Sequence, residues 1–179
     1  MLLMGYWDNK EEKKNDVGRY EDAGSPEWIL KFIKRGSAKG KEMEKFLIHS
    51  FDCIDDYYGE SDLTAFDYIL QVKTSSIWAN GKSKWQHVEP DHDWEVLLLV
   101  IIDYHSIELY LMCRDSFEEM REDLGDKIKQ GNENSYQGYW FWDDQADPYM
   151  SHFLSITHDP SEGEMDCSVF EDALNNCFN

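Results

Sequence analysis

The sequence predicts an α/β fold with a mixed central β-sheet flanked by helices. Three observations predict it. Val96-Leu97-Leu98-Leu99-Val100-Ile101-Ile102 is a continuous apolar run bounded by Glu95 and Asp103, the pattern of a strand buried on both faces. Residues 66–75, Phe-Asp-Tyr-Ile-Leu-Gln-Val-Lys-Thr-Ser, are rich in β-branched and aromatic types and lack Gly and Pro. Apolar residues at helical spacing precede and follow these strands, so helices are available to cover the sheet.

Residues 1–24 read as an irregular extension, a Lys/Glu/Asp-rich run broken by Gly18 and Gly24. Ser25-Pro26-Glu27 then supplies a cap, a first-turn proline and an acid at the positive helix end. Trp28, Ile29, Phe32 and Ile33 mark a helix over 26–35, and Gly36 stops it. A second helix over about 39–49 carries the stripe Met43, Phe46 and Leu47, with Glu44 at its edge. Ser61-Asp62-Leu63-Thr64-Ala65 is a short extended run before the strand over 66–75. Residues 78–94 read as a polar and aromatic loop holding Trp85, His87 and His92. Residues 107–112 form a partner strand to the apolar run. Ser116-Phe117-Glu118-Glu119 matches a capping box and opens a helix to about 130. Short strands are expected near 139–142 and 152–156, and a short helix near 169–175. The domain reading is an extension over 1–24, a core over 25–130, and an acidic aromatic extension over 131–179 packed on that core.

The composition of the 179 residues, 41% hydrophobic with 15% aromatic, excludes a disordered chain and fits one domain. No apolar run is long enough to span a membrane, and Met1-Leu2-Leu3-Met4 is too short for a secretory signal. The four cysteines, Cys53, Cys113, Cys167 and Cys177, make no CxxC pair, so they read as reduced thiols of a cytoplasmic protein. The net charge of −20 argues against a generic nucleic-acid binder. Its distribution qualifies that. Residues 31–84 carry 9 basic and 8 acidic groups, whereas residues 131–179 carry none and 10. Lys31, Lys34, Arg35, Lys39, Lys41 and Lys45 cluster within fifteen residues, either as a solvated helix surface or as a track for a DNA backbone.

Side chains alternate along a strand, so Asp67, Ile69, Gln71 and Lys73 share one face. An acid followed by Gln-x-Lys on a strand is a layout for holding a divalent metal beside a cation. Asp62 supplies a carboxylate, Gln71 an amide oxygen and the Val72 carbonyl a third ligand. Lys73 is placed to orient a water or to meet developing charge on phosphorus. Asp67, Asp55 and Asp56 remain alternatives for the first acid. Surface-strand polar residues are the plainer reading of the whole set.

These residues resemble the PD-(D/E)xK nuclease superfamily, which includes many type II restriction endonucleases and the archaeal Holliday-junction resolvases. The matching pieces are Glu44, Asp62 and Gln71-Val72-Lys73, followed by the apolar strand, over about residues 37–130. Ser61 stands in place of the signature proline. Gln71 stands in place of the usual Glu or Asp, as in the Mrr-type branch, which lowers the negative charge of the site. The resemblance implies a restriction-endonuclease-like core and a metal-dependent endonuclease acting on DNA, in restriction or phage conflict. It implies Mg²⁺, with Mn²⁺ as a substitute, and a homodimer. Asp62, Gln71, Lys73 and Glu44 would be catalytic, and Asp62, Gln71, Val72 and Asp67 would hold the metal. Lys39, Lys41, Thr74, Ser75, Trp85 and His87 are candidate DNA contacts. The rival from another class is an acidic interaction protein, a DNA mimic or immunity protein; an inactive nuclease fold is a third.

Overall fold

A computed structural model describes residues 9–132 and 134–178, with the side chains of 9–15 left aside. Six strands form the central sheet in the order β1-β2-β3-β5-β6-β8: β1 (Ile54–Asp56), β2 (Leu63–Ala65), β3 (Tyr68–Ser76), β5 (Val96–Ile102), β6 (Ile107–Cys113) and β8 (Ser151–Ile156). A separate two-stranded sheet pairs β4 (Lys84–Val88) with β7 (Tyr139–Trp142). Only the β3–β5 pair of the central sheet is parallel, Leu70 lying opposite Val96 and Ser76 opposite Ile102. The sheet is therefore mixed, as the sequence predicts, with helices on it.

Every residue of β5 is buried, because each face meets a different core. Val96, Leu98, Val100 and Ile102 pack with residues of α1 (Asn9–Asp22), α2 (Glu27–Lys34), α3 (Lys39–Ser50) and α6 (Cys167–Phe178). Leu97, Leu99 and Ile101 pack with Trp85 and Phe141 of the small sheet and Phe117 and Met120 of α4 (Arg114–Leu124). Alternating side chains of one apolar strand thus nucleate two layers.

Several sequence expectations change. Residues 9–22 are helical rather than irregular. The charged run has no apolar stripe to mark it, but its last turn buries Tyr20, whose hydroxyl donates to the Ile102 carbonyl and accepts from the Ile77 amide. The helix α4 starts at Arg114, two residues before the expected cap, and stops at Leu124, where Gly125 adopts φ 54°. The stretch 78–94 is not all loop, since β4 runs through it. Residues 131–179 are more than a packed extension, because β8 is hydrogen-bonded into the central sheet and β7 into the small one.

The cysteine expectation is overturned for one pair. Cys53 and Cys167 lie with Cα atoms 6.0 Å apart and are disulfide-bonded across 114 residues. Their separation in sequence left no spacing signal to read. Cys113 and Cys177 are free thiols. Among the described residues no helix is long and apolar enough to cross a membrane.

The double burial of β5 gives a test. Leu98→Ala should cost about 2–5 kcal/mol of unfolding free energy in urea titration, with the slope unchanged. Asp67→Ala, in the exposed β2–β3 turn, should stay within about 0.5 kcal/mol.

Candidate active site

The site forms where β2 and β3 part. The two strands pair only from Ala65↔Tyr68 to Leu63↔Leu70, joined by the two-residue turn Phe66-Asp67, whose first residue takes φ 53°. Among the described residues no strand pairs with this edge of β3 beyond Leu70, while the other edge stays paired with β5. Asp62 closes that gap. Its amide donates to the Leu70 carbonyl at 3.1 Å, and its carboxylate Oδ2 accepts the Val72 amide at 2.8 Å. A side chain thus takes the place of a strand, in a charge-assisted hydrogen bond. The amide and carbonyl of one strand residue address the same neighbour, so the Val72 carbonyl points to the same edge as Asp62.

The stretch that carries Asp62 is fixed from outside. Ser61 Oγ and Tyr57 Oη both donate to the Asp93 carboxylate at 2.7 Å. Those bonds, with backbone hydrogen bonds from Asp93 itself and Glu60, hold the Asp93 carboxyl below its ordinary value against the cost of desolvation. Asp93 belongs to the segment before β5, which Arg114 clamps through the carbonyls of Pro90 and His92 while lying 3.9 Å over the Trp94 ring.

Gln71 and Lys73 lie on the β3 face opposite Leu70 and Val72, as alternation requires. Gln71 is 3% exposed, and its Oε1 is buried without a hydrogen-bond partner. Such an orphaned oxygen costs about 1–3 kcal/mol and calls for an explanation. Lys73 is half-buried. Loss of water pushes its ammonium below its ordinary pKa, against the pull of Asp62, Glu89 and Glu44. Glu44, on α3, is shifted the other way. Desolvation first, then the Asp62 charge, raises its carboxyl above the ordinary 4.5, while Lys41 and Lys73 lower it. Glu44, Asp62 and Lys73 therefore form one electrostatic group, with Asp56 and Lys41 at its margin.

The remaining predicted residues fall elsewhere. Asp67 sits exposed in the hairpin turn, four residues from Gln71, which is about 13 Å along a strand. It lies in the turn before β3 and not on the strand face that Gln71 and Lys73 share. Asp55 and Asp56 are exposed on β1. Trp85 is 1% exposed, with Nε1 donating to the Val100 carbonyl, so it is core and offers no face to a substrate. Ser75 is buried, accepting the Lys84 amide at 2.8 Å. Thr74 Oγ1 is shielded without a partner. Lys39 is largely buried, donating to Ser76 Oγ at 2.7 Å, and desolvation lowers its pKa. Of the other lysine-cluster members, Lys31, Lys34, Arg35 and Lys45 pair with carboxylates, and Lys41 is exposed beside Glu44. His87 is exposed on β4 at φ 58°.

Sequence reading missed Glu89 and Asp93. Both lie between β4 and β5 and reach the site only through tertiary folding; no spacing in the sequence marks them.

Among the described residues no three His, Cys, Asp or Glu side chains come together as a metal-binding group. The candidate oxygens are of mixed kind: the Asp62 carboxylate and the Val72 carbonyl at the β3 edge, and the unpartnered Gln71 amide oxygen on a face of the same strand. Hard neutral and anionic oxygens are what Mg²⁺ accepts, usually with several waters retained. The orphaned Gln71 oxygen is the observation that fits such an ion.

No protein-family model matches the chain, and no curated protein matches it. A solved structure described as a restriction endonuclease in complex with substrate DNA aligns over 94% of both chains, at 12% identity and a TM-score of 0.45. That likeness is too distant to carry an assignment.

Raising a carboxyl pKa on folding means that the native state binds more protons than the unfolded chain between the two values. Stability should therefore fall as pH rises from about 4.5 through the folded pKa of Glu44, with the penalty complete above it. Glu44→Gln should unfold at a higher temperature than the parent at neutral pH, and the difference should vanish below about pH 4. Thermal unfolding across pH 3–8 reads it; equal midpoints at neutral pH would contradict the assignment.

Proposed function

We propose that this protein is a metal-dependent endonuclease that hydrolyses DNA phosphodiester bonds, with a restriction-endonuclease-like core and a PD-(D/E)xK site in its QxK variant. The observation that carries the reading is the Asp62 carboxylate docked on the Val72 amide at the open β3 edge, with Gln71 and Lys73 on either side. The residue types and their order agree with the sequence resemblance, and the Asp62–Lys73–Glu44 coupling supports one shared site.

In this reading Asp62, Gln71 and the Val72 carbonyl hold Mg²⁺ or Mn²⁺. The ion, when bound, supplies Lewis-acid polarisation of the phosphate and a nucleophilic water at neutral pH. The chain's own residues do the rest. Lys73 holds its ammonium beside the scissile phosphate, where a partly desolvated charge stabilises the pentavalent phosphorus more than water would. Glu44, held closer to its protonated form by burial and by Asp62, is placed to accept a proton from the attacking water. Asp93 positions Asp62 through Ser61. Lys41, exposed at the rim, meets backbone phosphates, and His87 is a second exposed contact. The acidic residues of 131–179 then face away from DNA or meet protein. Cutting both strands of a symmetric site favours a homodimer, which sedimentation equilibrium tests; a monomer at tens of micromolar would remove that element.

The acidic binding protein is the rival reading, favoured by the net charge of −20. Cleavage decides between them. Plasmid and phage DNA, unmodified and modified, are incubated with Mg²⁺, Mn²⁺ or EDTA. Discrete fragments are expected with metal and none with EDTA, and Lys73→Ala should slow cleavage by about 100-fold or more. Mg²⁺ should also raise the unfolding temperature of the parent but not of Asp62→Asn. A folded protein that cuts nothing and shows no metal-induced stabilisation would sink the nuclease reading.

A further inference from the structure

The small sheet carries a second constellation. The Lys84 ammonium lies 3.6 Å from the centroid of the Trp140 ring, 5.3 Å from Trp142 and 5.8 Å from Trp78. Lys84 and Trp142 are direct cross-strand partners on β4 and β7. Trp140 and Trp142 turn to this side because Phe141, between them, is buried in the core. Trp78 reaches over from the β3–β4 connection. Its amide donates to the Lys82 carbonyl at 2.8 Å, its carbonyl accepts the Gly81 amide at 2.9 Å, and Gly81 takes φ 77° to close the turn. Trp78 meets Trp142 edge-on at 5.4 Å and remains 38% exposed.

Among the described residues Lys84 forms no ion pair, whereas Lys82, two residues before it, does. Asp144 is bound to Lys82, and the Asp143 carboxylate accepts the amides of Ser83 and Asp144. Both acids are thus engaged, and a partly dehydrated cation is left against three π faces. Desolvation alone lowers its pKa. A ligand that offers Lys84 an anion and Trp78 a flat apolar face would satisfy both, and a nucleotide unit has those two parts. The backbone of Lys84 is tied to the strand that carries Gln71 and Lys73. The Lys84 amide is bonded to Ser75, two residues along β3 from Lys73 and on the same face.

We propose that Trp78, Trp140 and Lys84 form a subsite for an unpaired nucleotide of DNA, its base stacked on tryptophan and its phosphate on Lys84. The inference rests on the nuclease reading only in taking DNA as the ligand. Fluorescence anisotropy with a labelled single-stranded 12-mer in EDTA tests it without cleavage. Trp78→Ala and Trp140→Ala should weaken binding about tenfold, Trp140→Phe much less, and Lys84→Gln should reduce the salt slope by about 0.7. An abasic 12-mer, with phosphates but no bases, should bind the parent as poorly as the normal strand binds Trp78→Ala. Equal binding of normal and abasic strands would overturn the proposal, as would unchanged affinity of a Trp78→Ala protein with native circular dichroism. Trp78-dependent binding by a protein that never cleaves would keep the subsite and discard the nuclease. Metal-dependent cleavage with Trp78-independent binding would do the reverse.

Discussion

Much of the site depends on one hydrogen bond, the Val72 amide donating to the Asp62 carboxylate. A central sheet wants every strand edge paired, and β2 abandons β3 after three residue pairs. One carboxylate then satisfies the first exposed amide while keeping its second oxygen free for other work. The same event opens the edge, turns the Val72 carbonyl outward and brings an anion next to Lys73. Asp93 ties the loop before β2 to the loop before β5, and Arg114 at the start of α4 fixes that second loop in turn.

The balance of charge follows. A chain of net charge −20 keeps three half-buried lysines against carboxylates, rings or a hydroxyl: Lys73 beside Asp62 and Glu44, Lys84 among tryptophans, Lys39 on Ser76. Desolvation lowers the pKa of all three. The exposed pairs, such as Lys34 with Glu27, add little by comparison, since water and salt screen them. The cations with chemical leverage are therefore those attached to β3 and β4, not the run of lysines on α2 and α3.

Periodicity and turn chemistry carried most of the fold into the sequence. The seven apolar residues of β5 have the bounds read from composition alone, and α3 and β6 begin where expected. What escaped has physical reasons. The helix α1 has a charged sequence without an apolar stripe, and among its described side chains Tyr20 is the buried one, which periodicity cannot weigh. Strand β4 is short and bulged between Trp85 and Val88, so its alternation is interrupted. The Cys53–Cys167 pairing is a property of the closed fold. Of the candidate site residues, Glu44 sits on α3 and Gln71 and Lys73 on β3, while Asp62 lies in the bend just before β2, so chain order and alternation were enough to propose them together. Asp67 was misplaced by a two-residue error in where β3 starts, and Trp85 by reading a strand as a loop. Glu89 and Asp93 enter across the fold, where local pattern carries no information.

The disulfide ties the turn after α3 to the first residue of α6, 114 positions later, and the segment between them contains β1 through β8. Every strand of both sheets thus lies inside one covalent ring. In the chain-entropy account, closing so long a loop restricts the unfolded ensemble by about 4–5 kcal/mol. The oxidised chain can fray at α6 and still return its strands to register, whereas the reduced chain must recover the docking of α6 through packing, led by Phe170 and Leu174 and by the stacking of Phe178 on Tyr68. The redox poise of the surroundings thereby sets how much of this protein's persistence is topological and how much is packing.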